Sequence, residues 1–149
     1  MHRGRLLLEV KIMKILVIDG QGGRLGQKLV ENIRTDFPDV DLMVVGTNSM
    51  ATERMLKAGA RQAATGENAL IVACRQADVI IGPIGIAMAD SLMGEISPSM
   101  ANAVASSSAE RILIPMNLCS TYVAGVSSSS TGIVADAMQH LREMLGVKS

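Results

Sequence analysis

Four glycines, Gly20, Gly22, Gly23 and Gly26, crowd into one short stretch behind Asp19 and Gln21. Gly20, Gly22 and Gly26 have the spacing of one dinucleotide-loop variant, and Gly20, Gly23 and Gly26 satisfy another, G-x-x-G-x-x-G. Glycine suits such a loop because the turn requires positive φ, because a Cβ would hold the backbone off a phosphate, and because the next helix must pack close to the strand. That helix then offers unpaired N–H groups and a partial positive charge to an anion. The stretch predicts a small nucleotide or other phosphate-bearing ligand, with NADP or NAD as the cofactor. The alternative is a turn whose glycines serve packing alone.

The remaining candidates lie where other strands should end. Dinucleotide readers usually place an acid at the end of the second strand to hold ribose hydroxyls. Here that place holds Thr47, Asn48 and Ser49, with Arg54 nearby, which favours a 2′-phosphate over a free diol. Gly82, Pro83, Gly85 and Asn117 are expected to line the other half of the cleft. Asp19 is unusual beside a phosphate loop, since its charge repels the ligand. Either it bonds turn amides, or the site takes a metal or a hydroxyl instead. Asp90 and Glu95 fall near the fourth-strand loop and read as helix-surface or capping charges, with ligand contact as the alternative.

No catalytic constellation emerges, and no metal site is assigned. Tyr122 has Val126, not lysine, four residues later. His2 and His140 have no partner in sequence and read as surface residues, while Cys119 has no histidine near the expected cleft to activate it. No Walker lysine stands directly after the glycines, as ATP hydrolysis would need. Three functions stay open: a nucleotide-binding module with a possible reductase activity, a non-catalytic metabolite sensor or assembly subunit, and a phosphosugar or nucleoside enzyme using Asp19 with Glu67 or Asp90.

The chain of 149 residues is one domain by size, and 48% hydrophobic against 19% charged residues exclude disorder. Fourteen basic and fourteen acidic residues cancel, and one Tyr, one Phe and no Trp offer no stacking platform. Nucleic acid is therefore not an expected partner. No apolar run approaches the roughly 18 residues of a membrane span. Two cysteines cannot frame a disulfide fold, and they suit a cytoplasmic protein. Eleven methionines read as core filler or as the face of a homodimer. Residues 1–12 start basic but lack a signal-peptide core, and are expected to be a non-native or disordered extension before a domain of residues 13–149.

Lys14 to Ile18 reads as a strand that enters the glycine turn, and Leu25, Leu29 and Ile33 give the next helix its apolar face. Further strands are expected at Val40 to Val45, Ala60 to Ala64, Asp78 to Ile81 and Arg111 to Ile114, with a sixth at Tyr122 to Val126. Ser49 or Thr52 should cap a short helix ended by Gly59. Another helix is expected over Ala69 to Gln76. Ile86 to Ala105 reads as helical but divided, restarting at Ser97-Pro98, and a last helix is expected from about Thr131 to Leu145. Strands alternating with helices imply a three-layer, doubly wound, mainly parallel Rossmann-like sheet of five to six strands.

Ile18 to Gly23, Val45 to Ser49, Ala64 to Ala69, Ile81 to Gly85, Ala89-Asp90-Ser91, Gly94-Glu95-Ile96 and Ile114 to Asn117 together resemble one small bacterial family, domain of unknown function 3842. The resemblance covers nearly everything from Lys14 to the last helix. It implies a Rossmann-like cytoplasmic protein and supplies no activity. More distantly, Gly20, Gly23 and Gly26 are similar to the loop of atypical short-chain reductases, whose tyrosine/lysine pair and strand-two acid this chain lacks.

Overall fold

The structure is a computed structural model, and it describes residues 12–116, 120–126 and 132–147. Strands β1 (Lys14–Asp19), β2 (Asp41–Gly46), β3 (Gln62–Thr65), β4 (Val79–Pro83) and β5 (Glu110–Ile114) form one parallel sheet in the order β3-β2-β1-β4-β5. They alternate with helices α1 (Arg24–Asp36), α2 (Ser49–Lys57), α3 (Glu67–Gln76), α4 (Pro98–Ser106) and α5 (Ile133–Leu145).

Side-chain alternation along each strand builds the two cores. Ile15 and Val17 of β1 join Leu29, Val30 and Ile33 of α1, Met55 of α2 and Leu141 of α5 on one face. Leu16 and Ile18 join Leu70 and Cys74 of α3 and Met100 and Val104 of α4 on the other. Each such fully buried branched side chain contributes about 1.5–3 kcal/mol. Met55, Met100 and Met138 are core residues, whereas Met50 and Met93 are the exposed methionines among those described. Methionine is therefore used mainly as filler. Helix α4 starts where expected, with Pro98 in its first turn and the Ser97 hydroxyl accepting from the Met100 amide at 3.2 Å.

Three expectations give way. Residues 86–97 form no α-helix: a single 3-10 turn at Ile84–Ala87 leads into tight turns whose backbone is left-handed at Asp90, Leu92, Met93 and Gly94. Tyr122 to Val126 form no strand, so β5 is the sheet edge among the described residues. Asn48, not Ser49 or Thr52, caps α2 by accepting from the Ala51 amide at 2.9 Å. Asn117, Cys119, the serine run at 127–130 and residues 1–11 lie outside the described residues.

Candidate functional site

The sheet order reverses between β1 and β4, because β1 continues to β2 on one side while the chain returns to β4 on the other. Ligands of open parallel sheets bind at such a crossover, beyond the carboxyl ends of the strands. The glycine loop stands there. Its turn closes with the Gly23 amide donating to the Gly20 carbonyl at 2.9 Å. Gly23 then caps α1 in the left-handed region, φ 74°.

Asp19 points into this loop. Its Oδ1 accepts from the Gly20 amide at 2.8 Å, and its Oδ2 accepts from the Gly26 amide in the first turn of α1 at 2.7 Å. Burial raises this carboxyl above the ordinary aspartate range, against the lowering effect of the Gly26 and Gly20 amides, and the nearby Glu95 charge adds to the rise. The carboxylate is favoured there by the positive end of the helix. Asp19 is thus a positioning residue of the turn.

Glu95 arrives from the far side of the crossover. Its Oε1 accepts from the Thr47 hydroxyl at 2.5 Å, the Asn48 side-chain amide at 2.8 Å and the Gln21 backbone amide at 2.9 Å. Asn48 is locked for this role: its oxygen caps α2, so its nitrogen faces Glu95 and also donates to the Gln21 carbonyl at 2.9 Å. Burial pushes the Glu95 carboxyl up, but the Thr47, Gln21 and Asn48 donors outweigh it and hold the group below its usual range. Thr47 and Asn48, expected to meet a ligand directly, are committed to this carboxylate, while Ser49 is exposed. A 2′-phosphate brought to these donors would meet Glu95 first, which removes the reason they gave for preferring NADP.

Most of the glycines are explained by packing. A Cβ on Gly23 would stand 2.7 Å from the Ala51 Cα, one on Gly26 would stand 2.5 Å from the Met55 sulfur, and one on Gly20 would stand 2.4 Å from the Thr47 hydroxyl. Gly82 is equally constrained, since its Cβ would stand 2.3 Å from the Ile18 carbonyl oxygen. Gly85 lies under Ser91 and Leu92, and Ser91 donates to its carbonyl; Pro83 is buried at the end of β4. Gly22 differs. A Cβ there would meet no atom within 4 Å, and its φ lies outside the left-handed region. Among the described residues, the Gly22, Arg24 and Leu25 amides have no protein acceptor.

Other candidates disperse. Glu67 accepts from the Ser97 hydroxyl instead of facing Asp19, and Asp90 is exposed. His140 bonds Glu110 on the surface at 3.1 Å. Cys74 is buried, which pushes its thiol up to about 11. No group of three or more metal-ligating side chains occurs among the described residues. A cleft of about 760 Å³ opens between β5 and α5, lined by Arg111, Asp136, His140 and Glu143 among others, and the glycine loop takes no part in it. Glu95 and Leu92 are the residues that sequence reasoning underrated. The available signal was Gly94, which breaks the helical pattern just before Glu95 and leaves that carboxylate on an irregular connection beyond β4.

A parallel five-stranded sheet of this order, covered by helices on both faces with a glycine turn after β1, defines a Rossmann-like α/β protein. The chain belongs to the family described as domain of unknown function DUF3842, whose model matches residues 14–146. No curated protein matches it. Among solved structures it is similar to a dodecameric FMN-dependent UbiX-like decarboxylase from Escherichia coli O157:H7, at 21% identity over 91% of this chain and 77% of that one, with a TM-score of 0.46. It is also similar to a universal stress protein in complex with cAMP, at 13% identity over 70% of this chain and 98% of that one, with a TM-score of 0.42. No described helix is long and apolar enough to cross a membrane.

Proposed function

We propose that the chain binds a small phosphate-bearing ligand, foremost a nucleotide of the NAD(P) type, at the mouth of the glycine loop. The observation that carries this reading is Gly22, whose missing side chain neither packing nor backbone conformation requires. Its amide and those of Arg24 and Leu25 supply donors at the positive end of α1, and the Arg24 side chain is exposed beside them. Leu92 lies over Gly20 and Gly85, so the open approach to the loop is at Gly22. A nicotinamide cofactor held here would supply hydride chemistry, with the chain contributing binding and orientation.

A second reading, a metabolite sensor without catalysis, is supported by the left-handed residues beside the site, because strain of this kind gathers where a segment has two arrangements. In that case ligand binding changes the segment and no substrate turns over.

Thermal unfolding against NADH, NADPH, AMP and inorganic phosphate tests the site. A ligand at about a hundred times its Kd stabilises by about 2.7 kcal/mol, a midpoint rise of several degrees. Gly22→Ala is expected to leave the ligand-free midpoint unchanged or slightly raised, and to weaken the ligand about tenfold. An equal ligand response in Gly22→Ala, or no response to any of the four, defeats the reading.

A further inference from the structure

The second oxygen of Glu95 determines which chemical group a ligand can present beside the glycine loop. Oε1 is saturated by Thr47, Asn48 and Gln21, whereas Oε2 has no hydrogen-bond partner among the described residues. No buried side-chain oxygen or nitrogen among those residues is left unsatisfied, so Oε2 is open to solvent. The result is a carboxylate held rigidly by one oxygen and offered by the other. An ionised carboxylate can only accept hydrogen bonds. A phosphate would meet like charge there, from Glu95 and from Asp19 behind it. Hydroxyl groups would make charge-assisted bonds, and the two free lone pairs of Oε2 can take two adjacent hydroxyls.

Position narrows the group further. Glu95 sits on the Gln21 amide, and Gly22 is the next residue, about 3.8 Å away along the backbone. A diol on Glu95 and a phosphate on the Gly22, Arg24 and Leu25 amides therefore lie within the span of one ribose phosphate. Strand β2 ends without an acid, and the acid comes instead from the connection after β4.

We propose that Glu95 accepts from the vicinal hydroxyls of an unsubstituted adenosine ribose, so that the ligand is a ribonucleotide of the NAD or AMP kind and nucleotides phosphorylated on that 2′-hydroxyl, such as NADP, are rejected. This rests on the phosphate reading of the glycine loop above.

Calorimetric titration of the full chain with NADH, NADPH, AMP and 2′-deoxy-AMP tests it. NADH should bind at least about tenfold tighter than NADPH, and AMP at least about tenfold tighter than 2′-deoxy-AMP, the size of a lost charge-assisted hydrogen bond. Glu95→Gln should reduce both ratios severalfold. Equal or tighter binding of NADPH, or of 2′-deoxy-AMP, overturns the diol inference while leaving the phosphate loop standing. Tighter binding of every ligand to Glu95→Gln also overturns it, because Glu95 would then be a plug that ligands displace. If none of the four binds, the phosphate reading fails and the diol inference falls with it. Both ligand ratios are measured on the unaltered chain, so the test survives a variant that does not fold.

Discussion

In the glycine loop, residues 19–26, positive φ falls on Gly23 and Gln21; in the return segment, residues 88–97, it falls on Asp90, Leu92, Met93 and Gly94. The loop meets its steric demands with glycine wherever the chain presses on itself, at Ala51, Met55 and Thr47. The return segment places side chains where glycine would be easier, at about 1–2 kcal/mol for each left-handed residue. It is held by Ile96 in the core, by Ser91 on the Gly85 carbonyl, by the Asp90 amide on the Ile96 carbonyl and by the Glu95 clamp. Three loop glycines are thus required by packing and Gly22 is not, while most of the left-handed side chains gather in the return segment.

The largest effect should come from the packed side of this contrast. Gly23→Ala combines a φ of 74° with a Cβ 2.7 Å from the Ala51 Cα, and should lose about 3–5 kcal/mol in urea unfolding. An unchanged urea midpoint would show that the loop is pliable and that Gly23 is free to serve a ligand.

A smaller effect of opposite sign is expected in the return segment. Met93 is 94% exposed, so Met93→Gly gives up little packing and relieves a left-handed methionine. It should gain about 1 kcal/mol, seen as a rise of a few degrees in Tm. A fall in Tm would mean that the segment is not strained and that the two regions are alike.

The smallest effect is pH-dependent. Glu95 is held below its unfolded value of about 4.3, so its contribution to stability is complete above that pH and is lost as pH falls through the lower folded value. Asp19, raised by burial, acts with the opposite sign: its contribution is present below about pH 3.9 and is lost as pH rises through the folded value. The Tm difference between the native chain and Glu95→Gln should therefore shrink from about pH 6 to about pH 3. A constant difference would show that charge does not hold the return segment on the loop.

Much of this was legible in the chain. Alternation of apolar runs and amphipathic stretches marked all five strands and the helices, and Ser97-Pro98 marked the start of α4, because each signal acts between near neighbours. The glycine turn was legible for the same reason. What misled was residues 86–97, whose Ala/Met composition suits a helix, although the chain there must turn sharply to bring Ile96 into the core. Thr47 and Asn48 were found without their shared partner Glu95, since nothing nearby in sequence marks them as partners of an acid 48 or 47 positions later.

By itself, then, the sequence determined a parallel α/β sheet with a glycine turn after its first strand, since hydrophobic period, caps and turn residues are local properties. Tertiary structure decided which glycine stays open and where the carboxylate sits. Gly20, Gly23 and Gly26 are filled against chiefly by residues of the β2–α2 connection, α2 and the return segment, and Gly22 is not. Glu95 reaches the Gln21 amide across 74 positions of chain, a contact that exists only because the sheet order reverses between β1 and β4.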